Sequence, residues 1–186
     1  MARNEPVMAG ITVDPALVVA LADDRLARGS ILTLRVVMAF LWIENTRWKL
    51  PPDFGGDDQG GLYRYLADAV KYPVFPPYSW LAEHVLLPNL AFFGWVVLLT
   101  EATIGACLLV GFMTRLMGVL GVGQALVIFF SVGQTPAEWP WSYYLMMAGC
   151  LAISGVAAGR VLGLDGVLRP RLLRSGGLLR RAAVFS

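Results

Sequence analysis

Four apolar stretches dominate the sequence and restrict the folds that the chain can adopt. An α-helix needs about 20 predominantly apolar residues to cross the hydrocarbon core of a bilayer. The stretches cover about residues 30–48, 88–112, 115–132 and 140–162. Of the 186 residues, 57% are hydrophobic and only 15% are charged, whereas soluble domains carry about 25% charged residues. We therefore expect a multi-pass protein of the cell membrane, with the lipid bilayer as its main surroundings.

The connections between the last three stretches predict how the helices are arranged. The segments "GFMTR" and "GQTPAEWP" are short, and short connections make consecutive helices antiparallel neighbours. The sequence thus predicts an all-α fold: an integral membrane antiparallel four-helix bundle with short interfacial helices. One of these is expected after Asp14–Pro15, a favourable helix start. Another is expected near Leu62, Tyr65, Leu66 and Val70, which have helical spacing.

Three segments follow from this organisation. Residues 1–29 form a cytoplasmic N-terminal segment with an interfacial helix, and residues 30–165 form the transmembrane domain, with an outer loop insertion at 50–87. Residues 166–186 form a basic cytoplasmic tail.

The distribution of Lys and Arg predicts the orientation of the bundle. Ten arginines fall on the side of the two termini: Arg3, Arg25, Arg28, Arg115, Arg160, Arg169, Arg171, Arg174, Arg180 and Arg181. The other side has Arg47, Lys49, Arg64 and Lys71, diluted by acidic residues. Because cytoplasmic loops carry an excess of Lys and Arg, both termini are expected to be cytoplasmic. The arginine-rich tail is interpreted as binding the anionic leaflet rather than nucleic acid.

The second stretch places an ionisable carboxyl group near the middle of the membrane. Glu101 lies about ten residues, or ~15 Å, from the end of its helix, close to the centre of a ~30 Å core. An acid at this depth is costly and marks a functional site with a nameable partner. Arg35 in the first stretch is the expected partner. A purely structural ion pair, or a protonated Glu101 hydrogen-bonded to Gln124, are the alternatives to a site that binds or protonates a lipid-soluble ligand.

Several kinds of redox centre are not expected in this chain. The single histidine, His84, cannot supply two axial imidazoles for a haem, and the isolated Cys107 and Cys150 cannot hold an iron–sulfur cluster. The two cysteines are interpreted as small core residues. We expect no haem, iron–sulfur or metal centre in the chain, and a redox role would depend on a diffusible membrane carrier or on a partner's cofactor.

The aromatic and small residues give further expectations. Five tryptophans are predicted at or near the outer rim as membrane-belt anchors: Trp42, Trp48, Trp80, Trp139 and Trp141. Glu138 is expected at the outer mouth, where it takes part in proton release or is simply solvated. Glycines such as Gly105, Gly118, Gly121 and the pair Gly155 and Gly159 are interpreted as helix-contact positions.

Three motifs resemble the DoxX family of small four-helix membrane proteins, and the long insertion at residues 51–87, with its tyrosine-rich helix, resembles the DoxD-like branch of that family. The first is "LRVVMAFLWIENTRWKL", which has Arg35 near the start of the first apolar stretch and Lys49 just after its end. The second is "TEATIGACLLVGFMTR", which contains Glu101, Gly105, Gly111, Thr114 and Arg115. The third is "GVAAGRVLGLD", which contains Gly159, Arg160 and Asp165.

The resemblance implies a membrane subunit of a quinone-linked oxidoreductase complex, similar to thiosulfate:quinone oxidoreductase, that works with other subunits. Together with the buried charges, it gives quinone as the ligand and Glu101 and Arg35 as the catalytic candidates. The residues expected to contact the quinone are Arg35, Glu44, Trp48, Glu101 and Arg115. A non-catalytic anchor or assembly subunit is the alternative function, and a small-solute or lipid transporter is a third, less favoured because the spans lack interior prolines.

Overall fold

A computed structural model describes residues 25–175 and 177–186. All regular secondary structure in these residues is helical, so the predicted all-α class is confirmed. The expected helix after Asp14–Pro15 lies outside the described residues. The α-helices are α1 (Arg25–Glu44), α2 (Gly61–Lys71), α3 (Pro76–Leu81), α4 (Leu90–Val110), α5 (Thr114–Val132), α6 (Pro140–Val156), α7 (Leu164–Arg174) and α8 (Gly177–Ala182).

Three helical segments are long and apolar enough to cross a membrane. They are α1, the segment from Pro76 to Val110, which joins α3 to α4 through a π-helical turn and a 3₁₀ turn, and α5. The fourth predicted span corresponds to α6, which has 17 residues and is therefore about 25 Å long, less than the ~30 Å of a typical bilayer core. The four-span topology thus stays a prediction.

The long helices pack as two antiparallel pairs through small residues. A Cβ atom added at Gly105 of α4 would lie 3.2 Å from the Ala39 carbonyl oxygen of α1, and one at Gly118 of α5 would lie 2.6 Å from the Cys150 carbonyl oxygen of α6. Gly155, in contrast, has nothing within 4 Å of an added Cβ. Its predicted contact role is therefore wrong, because it faces away from the neighbouring helices.

The first helix differs from the predicted span at residues 30–48. It begins at least five residues earlier and ends at Glu44. Just beyond this end, one side chain shares a carbonyl of the last turn, and a second contact joins two side chains. The Thr46 hydroxyl donates to the Ile43 carbonyl at 2.7 Å, and the Trp48 indole N–H donates to the Asn45 side-chain oxygen at 3.0 Å.

The insertion between α1 and α4 folds back onto the bundle. Turns at residues 45–60 lead into α2, and α2 confirms the helix that the spacing of Leu62 and Leu66 predicts. These two leucines and Ala69 are buried in a second apolar cluster with Phe54 and Tyr78. We call the end of the bundle formed by residues 45–89 and 133–139 the loop end, and the end formed by residues 111–113 and 157–186 the tail end.

Candidate functional site

Glu101 is completely buried in the middle of α4, where one side chain neutralises its charge and another donates a hydrogen bond to it. The Lys49 ammonium lies 2.8 Å from one carboxylate oxygen, and the Gln124 amide donates to the other at 3.1 Å. Glu101 is 0% exposed and Lys49 is 1% exposed. The contact with Gln124 was one of the sequence alternatives, and it is present together with an ion pair.

The turn after α1 brings Lys49 to this depth. Lys49 follows Trp48, and its ammonium lies 3.9 Å from the centroid of that indole ring, in a cation–π contact. Such irregular backbone is tolerated at membrane depth only where protein covers it. Here α2 supplies cover, since Tyr65 stacks on Trp48 with ring centroids 4.1 Å apart.

The predicted ion pair between Arg35 and Glu101 is wrong. The Arg35 guanidinium instead donates to three backbone carbonyls that follow α6: those of Ala158 and Val161, both at 3.3 Å, and that of Leu162 at 3.1 Å. The physical reason is the position of α1, which places Arg35 against Gly111 at the end of α4. Glu101 is ten residues, or about 15 Å, further along that helix.

Arg35 belongs to a group of residues that joins the ends of four elements, which we call the tail-end cluster: Arg35, Gly111, Thr114, Gly159 and Asp165. The buried Asp165 carboxylate accepts hydrogen bonds from the backbone N–H groups of Met113 and Thr114, at 2.8 and 2.9 Å, and from the Thr114 hydroxyl at 2.8 Å. It therefore caps the N-terminus of α5, where a negative charge is favourable.

Two glycines allow this cluster to close. Gly111 ends α4 with φ +71°, a left-handed conformation that favours glycine, and a side chain there would also overlap Arg35. A Cβ atom at Gly159 would lie 2.6 Å from the Gly111 carbonyl oxygen and 2.7 Å from the Thr114 methyl group. The cluster thus accounts for Gly111, Thr114, Gly159 and Asp165 in the second and third sequence motifs as packing and capping residues.

A cavity of about 230 Å³, which we call the central cavity, adjoins the Glu101 ion pair. Its polar residues are Lys49, Glu101 and Gln124, with Tyr65 and a hydrogen-bonded pair, Tyr78 and Ser131, whose oxygens are 2.8 Å apart. The rest of the wall is apolar or aromatic: Trp48, Leu62, Leu66, Leu81, Leu86, Phe93, Val97, Val127 and Ile128.

One side of the central cavity faces the surroundings of the bundle. Leu81 and Val127 line it and are 38% and 36% exposed. They belong to the long segment Pro76–Val110 and to α5, both of which are candidate membrane spans. An apolar ligand dissolved in lipid would meet apolar side chains along this side.

Two of the five residues expected to contact a ligand, Trp48 and Glu101, line the central cavity. Glu44 instead forms an exposed ion pair with Arg47. Arg115 lies in the first turn of α5, nine residues before Gln124, which is about 14 Å along the helix. With Arg35 in the tail-end cluster, three of the five residues lie away from this cavity.

Sequence reasoning missed the site roles of Lys49 and Tyr65. The sequence gives Lys49 a place only in the charge distribution and in a family motif, although a lysine that directly follows an apolar span and a tryptophan is a usable signal. The helical spacing gives Tyr65 no role in a site, yet its ring packs inward against Trp48. The prediction that Trp42 is a membrane-belt anchor is also wrong, because Trp42 is fully buried. Its indole N–H donates to the Cys150 sulfur at 3.4 Å.

Within residues 25–175 and 177–186, no group of three or more His, Cys, Asp or Glu side chains is placed to hold a metal ion. Cys107 and Cys150 are free, and Cys150 is buried in the core.

A family model described as "TQO small subunit DoxD" matches residues 60–176, more than half of the chain. The chain belongs to the DoxD family. The resemblance inferred from the sequence motifs is therefore confirmed. The match covers α2 to α7, and so includes Tyr65, Glu101, Gln124 and Asp165, whereas Arg35 and Lys49 precede it. Searches of curated proteins and of solved structures return no match.

Proposed function

We propose that this DoxD protein is the membrane subunit of a quinone-linked oxidoreductase complex of the thiosulfate:quinone oxidoreductase type, and that the central cavity binds the quinone headgroup. The observation that carries the proposal is a buried Lys49–Glu101 ion pair on the wall of an apolar cavity, one side of which is formed by two candidate membrane spans. The family description as a small subunit supports the need for partner subunits.

The residues of the central cavity fit a quinone headgroup. The Lys49 ammonium has three N–H donors, and among the described residues Glu101 is its one ion-pair partner. Donors therefore remain for a carbonyl oxygen. Trp48 and Tyr65, which stack on each other, place aromatic ring surface at the same wall. A volume of about 230 Å³ is below the roughly 300–1,000 Å³ of pockets for drug-sized ligands, so the cavity suits a single ring whose isoprenoid chain extends into lipid.

The ion pair also has the chemistry that such a site needs. A quinone accepts two electrons and two protons to become a quinol. The buried Lys49 ammonium gives a proton to the reduced quinone oxygen and is reprotonated from water, since burial disfavours the charged form of a lysine. Glu101 holds the lysine at the cavity wall. The electrons come from a reduced sulfur compound bound to a partner subunit.

The arrangement in the membrane follows the same proposal. The α6 helix completes a four-span bundle, with the tail end in the cytoplasm, because the excess of arginines lies there. The Lys49–Glu101 pair is then near mid-membrane, within reach of the quinone pool.

Quinone affinity tests the proposal directly. The full-length protein in nanodiscs is titrated with decylubiquinone while tryptophan fluorescence is followed, since Trp48 lines the cavity. We expect Glu101→Gln and Lys49→Met to weaken binding at least tenfold. Glu44→Gln is the matched control, because it removes an acid from an exposed pair outside the cavity.

Electron transfer is measured in membranes that contain the whole complex, with thiosulfate as donor and decylubiquinone as acceptor. Both cavity variants are expected to lower the rate, and Glu44→Gln to leave it unchanged. If folded Glu101→Gln and Lys49→Met proteins keep the affinity and the rate of the original protein, the quinone site is ruled out. The non-catalytic anchor subunit is then the function that remains.

A further inference from the structure

A second cavity lies next to the central cavity at the loop end. It has a volume of about 260 Å³ and a polar wall. We call it the loop-end pocket, and its lining is Arg64, Tyr65, Asp68, Val132, Thr135, Pro136, Ala137 and Glu138. Nothing in the proposed quinone site uses the charged groups of this pocket.

Tyr65 lines both cavities. Its ring stacks on Trp48 beside the Lys49 ammonium, and the charge of Glu138, which lines the loop-end pocket with it, acts on its phenol. Burial raises the pKa of Tyr65, and Glu138 adds to this shift. The phenol therefore stays protonated at neutral pH, in the form that both donates and accepts a hydrogen bond.

Glu138 is an acid that lines this pocket with Tyr65. One of its oxygens accepts a hydrogen bond from the Tyr143 hydroxyl of α6 at 3.0 Å. The other titratable or charged groups that line the pocket with it are Arg64, Tyr65 and Asp68 of α2. The Thr135 hydroxyl is buried there and has no hydrogen-bond partner. A buried hydroxyl without a partner is costly, and a water molecule in the pocket would satisfy it.

We propose that Glu138 and Tyr65 form the route by which protons pass from the aqueous phase at the loop end to the Lys49–Glu101 pair. The proposal rests on the proposed quinone site. Reduction of one quinone to quinol consumes two electrons, supplied by the reduced sulfur compound on the partner subunit, and two protons, supplied by water through this route. In each transfer the Tyr65 hydroxyl gives its proton toward the ion pair and regains one from Glu138, so that Tyr65 is unchanged at the end.

The variants Tyr65→Phe and Glu138→Gln test the route, with Glu83→Gln as the matched control. Glu83 is an acid of the loop end whose side chain is 58% exposed, and it does not line either cavity. Two properties are measured: decylubiquinone affinity by tryptophan fluorescence in nanodiscs, and the rate of thiosulfate-dependent decylubiquinone reduction by the complex in proteoliposomes, with a pH dye that reports the side of proton uptake.

We expect Glu138→Gln and Tyr65→Phe to reduce the rate at least tenfold at saturating quinone while affinity changes less than twofold. Millimolar formate, a small acid that carries protons, should restore part of the rate of Glu138→Ala, and the dye should show uptake from the loop end. Rates equal to those of the Glu83→Gln control, uptake from the tail end, or an affinity loss that parallels the rate loss would each overturn the route. The quinone site itself fails only if Glu101→Gln and Lys49→Met also leave decylubiquinone affinity unchanged.

Discussion

Two regions of this protein bury charged side chains among apolar helices, and they differ in what those charges contact. In the tail-end cluster, Arg35 donates to backbone carbonyls and Asp165 accepts from backbone N–H groups. Around Glu101, the contacts join one side chain to another, and a cavity borders them. The first arrangement ties helix ends together, whereas the second places a buried ion pair beside an open volume.

The comparison refines a general expectation about membrane proteins. An ionisable residue inside a membrane span is by default a candidate for function, and Arg35, at 2% exposure, meets that description as well as Glu101 does. Yet Arg35 uses its guanidinium to bind backbone carbonyls that follow the end of a helix. Depth and burial alone thus do not distinguish a ligand site from a purely structural contact. The groups that the charged side chain contacts do distinguish them.

The largest expected effect comes from breaking the Lys49–Glu101 pair. Removing one partner of a buried pair leaves an uncompensated charge, which typically costs about 3–5 kcal/mol. We expect Lys49→Met and Glu101→Gln each to lower the thermal midpoint of the purified protein strongly. The double variant should recover a large part of that loss, because no charge is then left unpaired. Thermal unfolding of all three variants in one detergent measures this cycle.

The double variant separates the effect of the ion pair on folding stability from its effect on quinone binding. Its stability is expected to return while its affinity for decylubiquinone stays low, since the donors at the cavity wall are gone. Additive losses, in which the double variant is less stable than either single variant, would contradict an interaction between the two side chains.

The tail-end cluster gives a smaller effect that has its own internal control. In the sequence "GVAAG", Gly159→Ala places a methyl group against the Gly111 carbonyl and Thr114, and forced overpacking of this kind costs about 1–3 kcal/mol. Gly155→Ala meets open space in the last turn of α6, where replacing glycine gains up to about 1 kcal/mol of helix stability. Thermal midpoints of the two variants should therefore move in opposite directions, without a change in quinone affinity. Equal shifts would show that the cluster does not depend on close approach at Gly159.

Much of the fold was predictable because hydrophobic length and short connections restrict helices strongly. The bounds of α4 and α5 lie within two residues of the predicted spans, and α2 follows the spacing of its buried leucines. The end of α1 was not predictable from hydropathy. Beyond it, the Thr46 hydroxyl competes for the Ile43 carbonyl of the last turn.

The ion-pair partner of Glu101 could not be predicted from the sequence, for a related reason. Arg35 and Lys49 are both cations near the first span. How deep each one lies depends on the offset between α1 and α4 along their common axis. That offset depends on contacts such as Gly105 against Ala39 and Ile43, which no residue spacing encodes. Recognition of the family motifs identified the right residues without indicating which of them touch.

The smallest effect is expected for an ion pair that is exposed, in contrast to the two buried groups of charged side chains. The Glu44 and Arg47 side chains form an ion pair, but they are 65% and 74% exposed. Exposed pairs typically contribute between 0 and about 1 kcal/mol, so Glu44→Gln should shift the thermal midpoint only slightly. Because Glu44 lines a shallow groove with Asn45 and Trp48 rather than the central cavity, decylubiquinone affinity should also stay unchanged. A clear loss of affinity in Glu44→Gln would mean that the ligand lies in this groove, as the sequence prediction for Glu44 implies, and would move the quinone site away from the Lys49–Glu101 pair.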